Sequence, residues 1–196
     1  MTTWAELYAD HTAMRAQDAK VLVKDLRHRL TTLAKLGHCD ASIEGRFTHR
    51  NHGNLSVLQI RALESAPANT ERLDLPGLGG AHLTVLATIH LRSGHLHEFT
   101  AALSAKRADN TLWTVAIHLE DDRESEKNDR KGDGACSHAA IHCHVGPDLD
   151  TAPKVRVPLP AVGPVGALDW LLSTVVPGWE PALWPEVLAA LKPAGT

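Results

Sequence analysis

Cysteine is scarce in this 196-residue chain: there are three, Cys39, Cys136 and Cys143. An odd number without framework spacing excludes a disulfide-stapled scaffold and fits reduced thiols in a cytoplasmic protein. Long apolar runs are missing as well. A membrane span needs about 20 apolar residues in succession, and no stretch approaches that, so no membrane partner is expected. The opening residues, Met1-Thr2-Thr3-Trp4-Ala5-Glu6, lack the basic start and apolar follow-on of a signal peptide, which again points to the cytoplasm. Positive charge is not in excess either. The formal net charge is −3, which argues against a broad electrostatic grip on nucleic acid and leaves only local patches for that purpose.

What is present is the composition of a folded domain, 43% hydrophobic and 22% charged. The length suits one core, so residues 1–196 read as a single domain. Residues 1–37 read as a helical segment. Thr3 to Glu6 has the form of a capping box. Leu22, Leu26, Leu30 and Leu33 recur at helical spacing, and Gly37 is placed to end the helix. One unbroken helix of that length would run roughly 50 Å at about 1.5 Å per residue. It therefore breaks near residues 16–20 or projects and pairs with a second copy as a homodimer. Residues 41–48 and 55–63 read as a hairpin turning at Asn51-His52-Gly53-Asn54, with His49 and His52 solvated. Residues 64–81, rich in Pro and Gly, read as a linker; their Gly-Leu-Gly-Gly lacks the Lys-Ser/Thr of a phosphate loop.

Histidine is the abundant specialist. Eight of the thirteen fall between His82 and His144, within segments that alternate like strands. Leu83, Val85, Ala87 and Ile89 share one phase, and Arg92-Ser93-Gly94 fits a three-residue hairpin loop. That loop sets Ile89 opposite His97, Ala87 opposite Phe99, Val85 opposite Ala101 and Leu83 opposite Leu103, which keeps apolar residues on one face. Trp113, Val115, Ile117 and Leu119 continue the face on a third strand; Ala139, Ile141, Cys143 and Val145 do so on a fourth. His95 and His97 then fall at the end of the core-facing side, and Cys143 points inward as a small buried hydrophobe.

The opposite face would carry His90, Glu98, His118, Glu120, His142 and His144. Side chains at i and i+2 of a strand point the same way, so His142 and His144 are expected side by side. Two chemistries follow. His142, His144, His118, His90 and Glu120 are the side-chain types that ligate zinc or manganese. Without metal, His142, His144 and His118 supply a general base and a general acid, with Glu98 orienting one of them, the minimal equipment for RNA transesterification. Cys136 and His138 with His142 and His144 form an alternative structural zinc knot. Between the third and fourth strands, residues 121–137 read as a mobile, mixed-charge hairpin loop.

The chain then passes through Lys154-Val155-Arg156-Val157-Pro158-Leu159-Pro160, a short edge strand limited by proline. Helices follow over residues 164–192, the first starting at Pro164 and ending at Pro177-Gly178. Trp170, Trp179 and Trp184 read as packing anchors. The expected architecture is α+β: an antiparallel meander of about five to seven strands over residues 41–160, packed on one face by the N-terminal and C-terminal helices.

The order His95-Leu96-His97-Glu98-Phe99, a strand bearing His118, His142-Cys143-His144-Val145-Gly146 and a Val-Pro segment resembles the TumE-like toxins of bacterial toxin–antitoxin pairs. The resemblance covers residues 83–160. It departs at the helical ends and lacks that family's Tyr-Asp-Asn segment. It implies a ribonuclease-type toxin or defence protein, an antitoxin or operon neighbour as partner, and Glu98, His142 and His144 in the family's acidic and histidine positions. The leading expectation is therefore a small hydrolase acting on RNA. Beside it stand a non-catalytic protein-interaction module and a structural-metal or pH-responsive module.

Overall fold

Ala81, Leu83, Val85, Ala87 and Ile89 are all buried, and their common phase fixes which side of the central strand faces the core. A computed structural model shows that strand, β4 (Leu78–His90), as the spine of one antiparallel sheet. The structure describes residues 19–61, 70–120, 141–146, 155–158 and 163–180, with residues 120, 141, 142 and 155–158 described by backbone alone. The capping box at Thr3, the loop over residues 121–137 with Cys136 and His138, and the final helix at Trp184 lie outside the described residues.

The other strands are β1 (Phe47–His52), β2 (Leu55–Ile60), β3 (Thr70–Leu75), β5 (Leu96–Lys106), β6 (Leu112–Glu120), β7 (Ile141–Gly146) and β8 (Val155–Pro158). Seven of the eight follow the order β1-β2-β4-β5-β6-β7-β8, and β3 joins β4 beside that path. β2 pairs with Leu86 to His90 and β3 with Leu78 to Thr84, so two short strands lie end to end along one edge of the long one. The residues expected to be a linker thus contain a strand. Thr70, Leu73 and Leu75 bury their side chains, and Pro76-Gly77 forms the turn, with Gly77 at φ 77°, a conformation glycine adopts without penalty. The punctuation marked the turn and masked the strand before it.

The start of the first hairpin differs too. Residues Ile43–Arg46 form a short helix where a strand was expected. The Asp40 carboxylate accepts the Ser42 amide at 2.7 Å, an Asx turn that bends the chain, and Ile43 is fully buried. At the β4–β5 connection, Ala87↔Phe99, Val85↔Ala101 and Leu83↔Leu103 pair as alternation requires. Ile89, however, pairs with Leu96, with a register shift after Thr88↔Glu98. His97 is the extra residue of a β-bulge, which lets Leu96 take the core position that alternation had assigned to His97. The His90 amide bonds the His95 carbonyl and Gly94 donates back to His90, so the loop holds four residues, Leu91 to Gly94.

Helix α1 (Ala19–Lys35) places Leu22, Leu26, Leu30 and Leu33 in the core. Gly37, at φ 82°, ends it through bonds from Gly37 to Ala34 and from His38 to Leu33, the paired closure of a Schellman motif. With Ile43–Arg46 as α2, the last described helix is α3 (Pro164–Ser173), which buries Ala167, Leu168, Leu171 and Leu172. Helices and apolar strand positions form one cluster on one face of the sheet. Trp179 is packed into it, whereas Trp170, read as an anchor, is exposed.

Asp169 joins the two long helices while only 2% exposed. Its carboxylate receives Arg29 Nε at 2.9 Å and 3.0 Å on its two oxygens, and the Trp179 indole N–H at 3.1 Å. Removing one partner of a buried ion pair strands the other. Asp169→Ala is expected to lower stability by about 3 kcal/mol, the moderate end of such losses because Arg29 keeps some contact with water. Urea unfolding followed by tryptophan emission reads this as an earlier midpoint. Asp169→Asn, which keeps an acceptor for the indole, should lose less.

Candidate functional site

The face of the sheet turned away from α1 and α3 holds alternate residues of β4 to β7, and its register can be followed strand by strand. Thr100 pairs with His118, and His118 with His142. One step along, Ala102 pairs with Ala116, Ala116 with His144, and His144 with Arg156. Antiparallel pairing leaves diagonal positions close enough for large side chains to touch. The rings of His118 and His144 do so, with centroids 5.0 Å apart and planes at 87°. Both rings are half-buried, so solvent reaches the pair. The flanking positions, Ala102 and Ala116, carry small side chains and are themselves buried.

His118 is anchored from below. Its Nδ1 lies 3.0 Å from Thr100 Oγ1. If the ring donates there, Nε2 is the basic nitrogen; if the hydroxyl donates, Nε2 carries the proton. Thr100 thus sets which end of the imidazole does chemistry. Nothing in the apolar pattern singles it out, since a threonine on an open sheet face is ordinary. Only the register with His118 reveals it. Arg156 was likewise hidden in a Pro-flanked segment, although its phase in β8 matches that of the histidines.

The remaining expected site residues divide into near and far. His142 stands beside His118 in register, between β6 and β8. Glu98 and Glu120 are Cα partners on the next row of the same face, one diagonal from His118. His90 is two strands and four residues away, about 17 Å at about 4.8 Å per strand and about 3.4 Å per residue. It meets a different imidazole, that of His97, at 5.1 Å. His90 is on the side turned away from α1 and α3, so the bulge turns His97 to that side as well, away from its expected core-facing position.

For a metal, two imidazoles on one tetrahedral ion with nitrogen–zinc distances of about 2.0–2.1 Å hold their ring centroids about 5 Å apart, and His118 with His144 meets that spacing. Among the described residues no three His, Cys, Asp or Glu side chains converge closely enough to hold a metal ion. The described pair therefore offers two donors, and a third would have to come from beyond it.

The two described cysteines are packed against the core. Cys143 is buried beside the site on the core side, and burial pushes its thiol above the ordinary value. Cys39, under α1, is pushed from 9.0 up to about 11, chiefly by burial, with Arg46 opposing. A thiol with so high a pKa presents little thiolate, the reactive form. In a Cys136→Ser background at pH 8, iodoacetamide should alkylate Cys39 about 100-fold more slowly than a free cysteine. The rate should climb with pH as the medium approaches the raised pKa. Mass spectrometry of the modified peptides reads both.

Comparison with protein-family models, with curated proteins and with solved structures returns no match to this chain.

Proposed function

We propose that this protein is a small hydrolase that cleaves RNA by imidazole acid–base catalysis at His118 and His144. The observation that carries the reading is the contact between those two half-buried rings on the face turned away from α1 and α3, with one of them held at Nδ1 by Thr100. Cleavage of RNA at its 2′-hydroxyl needs one group to take the hydroxyl proton and another to give a proton to the departing 5′ oxygen. Neutral and protonated imidazole suit those roles near pH 7. The attacking oxygen bonds to phosphorus as the 5′ oxygen leaves, so the products are a 2′,3′-cyclic phosphate and a free 5′-hydroxyl. Arg156, beside His144 in register, is the residue type that neutralises charge building on the phosphate. His142 supports His118 from the neighbouring position, and Glu98 with Glu120 supplies a carboxylate row beside the pair.

RNA as the substrate class comes from the resemblance to the TumE-like toxins, which also brings a toxin–antitoxin or defence role and a neutralising partner protein into the proposal. A second reading rests on the ring spacing of about 5 Å: His118 and His144 ligate zinc or manganese, with His142 as the third donor, and the ion activates water or polarises the phosphate.

Incubation of an end-labelled single-stranded RNA with purified protein should yield cyclic-phosphate ends. His118→Ala and His144→Ala should each lower kcat by about 10²–10⁴-fold, with melting temperatures near wild type, because both rings lie on the solvent side of the sheet. The pH–rate profile should be bell-shaped in the wild type and lose one limb in each variant. Added chelator separates the two readings, since the acid–base route keeps its rate. Cleavage that survives the double variant removes the hydrolase proposal. A co-purifying protein without turnover favours an interaction module on this face.

A further inference from the structure

A second imidazole pair stands apart from the one used above, at the loop end of β4 and β5. His90 and His97 meet edge to face, with centroids 5.1 Å apart and planes at 72°. Ordinary alternation would have sent His97 toward the core and left His90 alone. The one-residue bulge after Glu98↔Thr88 brings the two rings together, and bulges re-aim side chains in this way at the ends of paired strands.

Polar groups in this corner are under-used. Among the described residues, buried His97 Nδ1 has no hydrogen-bond partner, nor does Thr88 Oγ1. Thr88 is only 8% exposed and precedes His90 by two residues, so it shares the same side of β4. A buried polar atom without a partner costs about 1–3 kcal/mol, and one such atom on the imidazole pair with a second beside it marks a place where something polar fits. Glu98, adjacent to His97 and across from Thr88, adds negative charge nearby. Neutral imidazoles with a carboxylate close at hand favour borderline divalent cations over magnesium or calcium. The ring spacing again matches two nitrogens on one tetrahedral ion, for which centroids lie about 5 Å apart.

We propose that His90 and His97 form a second binding site, for a zinc-class divalent cation, at the loop end of β4 and β5. Two protein donors leave the other coordination positions to water, and the Thr88 hydroxyl is the hydrogen-bond partner of a metal-bound water. Such a site exchanges its ion readily, in contrast to closed four-ligand structural zinc. It uses neither His118 nor His144, although Glu98 borders both sites, and it stands or falls without the RNA-cleavage reading.

The test is calorimetric titration of untagged, full-length protein with zinc chloride. Three forms are compared: wild type, His90→Gln/His97→Gln and His118→Gln/His144→Gln. Wild type should bind zinc with micromolar affinity. The first double variant should weaken that event by at least about tenfold, while the second retains it. Nitrogen-detected NMR of wild type provides a readout that needs no variant to fold: zinc should move the imidazole signals of His90 and His97 first. No uptake by wild type at about 100 µM zinc, a level far above a micromolar dissociation constant, overturns the proposal. So do unchanged binding in His90→Gln/His97→Gln and first shifts at other histidines.

Discussion

The phase of β4 is the constraint on which the rest of the molecule depends. Its odd-numbered residues from Ala81 to Ile89 are buried under the helices. A slip of one residue would exchange every side chain between the two faces of the sheet. Because β5, β6 and β7 pair in sequence from that strand, the choice propagates outward. Leu103, Val115 and Cys143 go inward, and Thr100, His118 and His144 go outward. The location of the imidazoles is therefore a by-product of hydrophobic burial several strands away.

Sheet geometry also explains why, among the described residues, the histidine rings of the sheet meet as two separate pairs. Within an antiparallel ladder, near neighbours are direct partners and diagonals. His118 and His144 satisfy the diagonal rule through unbroken pairing. His90 and His97 meet only because the ladder is interrupted. One pair follows from regularity and the other from a defect, and the distance between them leaves each to act separately.

Much of this was legible from residue order. The strands from Leu83 to Val145 announce themselves by alternation, and opposing apolar residues specify the pairing of Ala87 with Phe99. Less legible were features where local chemistry competes with that pattern. The bulge at His97 leaves no trace in hydrophobicity, since a Leu-His pair is compatible with either phase. β3 was concealed by the proline and glycine that form its turn, and the short helix at Ile43 arises from an Asx turn inside an apparently alternating segment. At the site, the histidines and their common face were visible in the alternation, but two of their neighbours were not. Thr100 and Arg156 acquire meaning only from register, which depends on the whole sheet.

The Arg29–Asp169 link has a consequence for how the chain is made. Its partners are 140 residues apart in sequence. At a synthesis rate of about 5–20 residues per second, α1 precedes its clamp by roughly 7–28 s. At the start of that interval the stripe of Leu22, Leu26, Leu30 and Leu33 has no sheet beneath it, and until its end it has no last helix beside it. The nascent chain thus carries an uncovered greasy seam long before its counterpart exists, and the ribosome-bound stage is where aggregation threatens most.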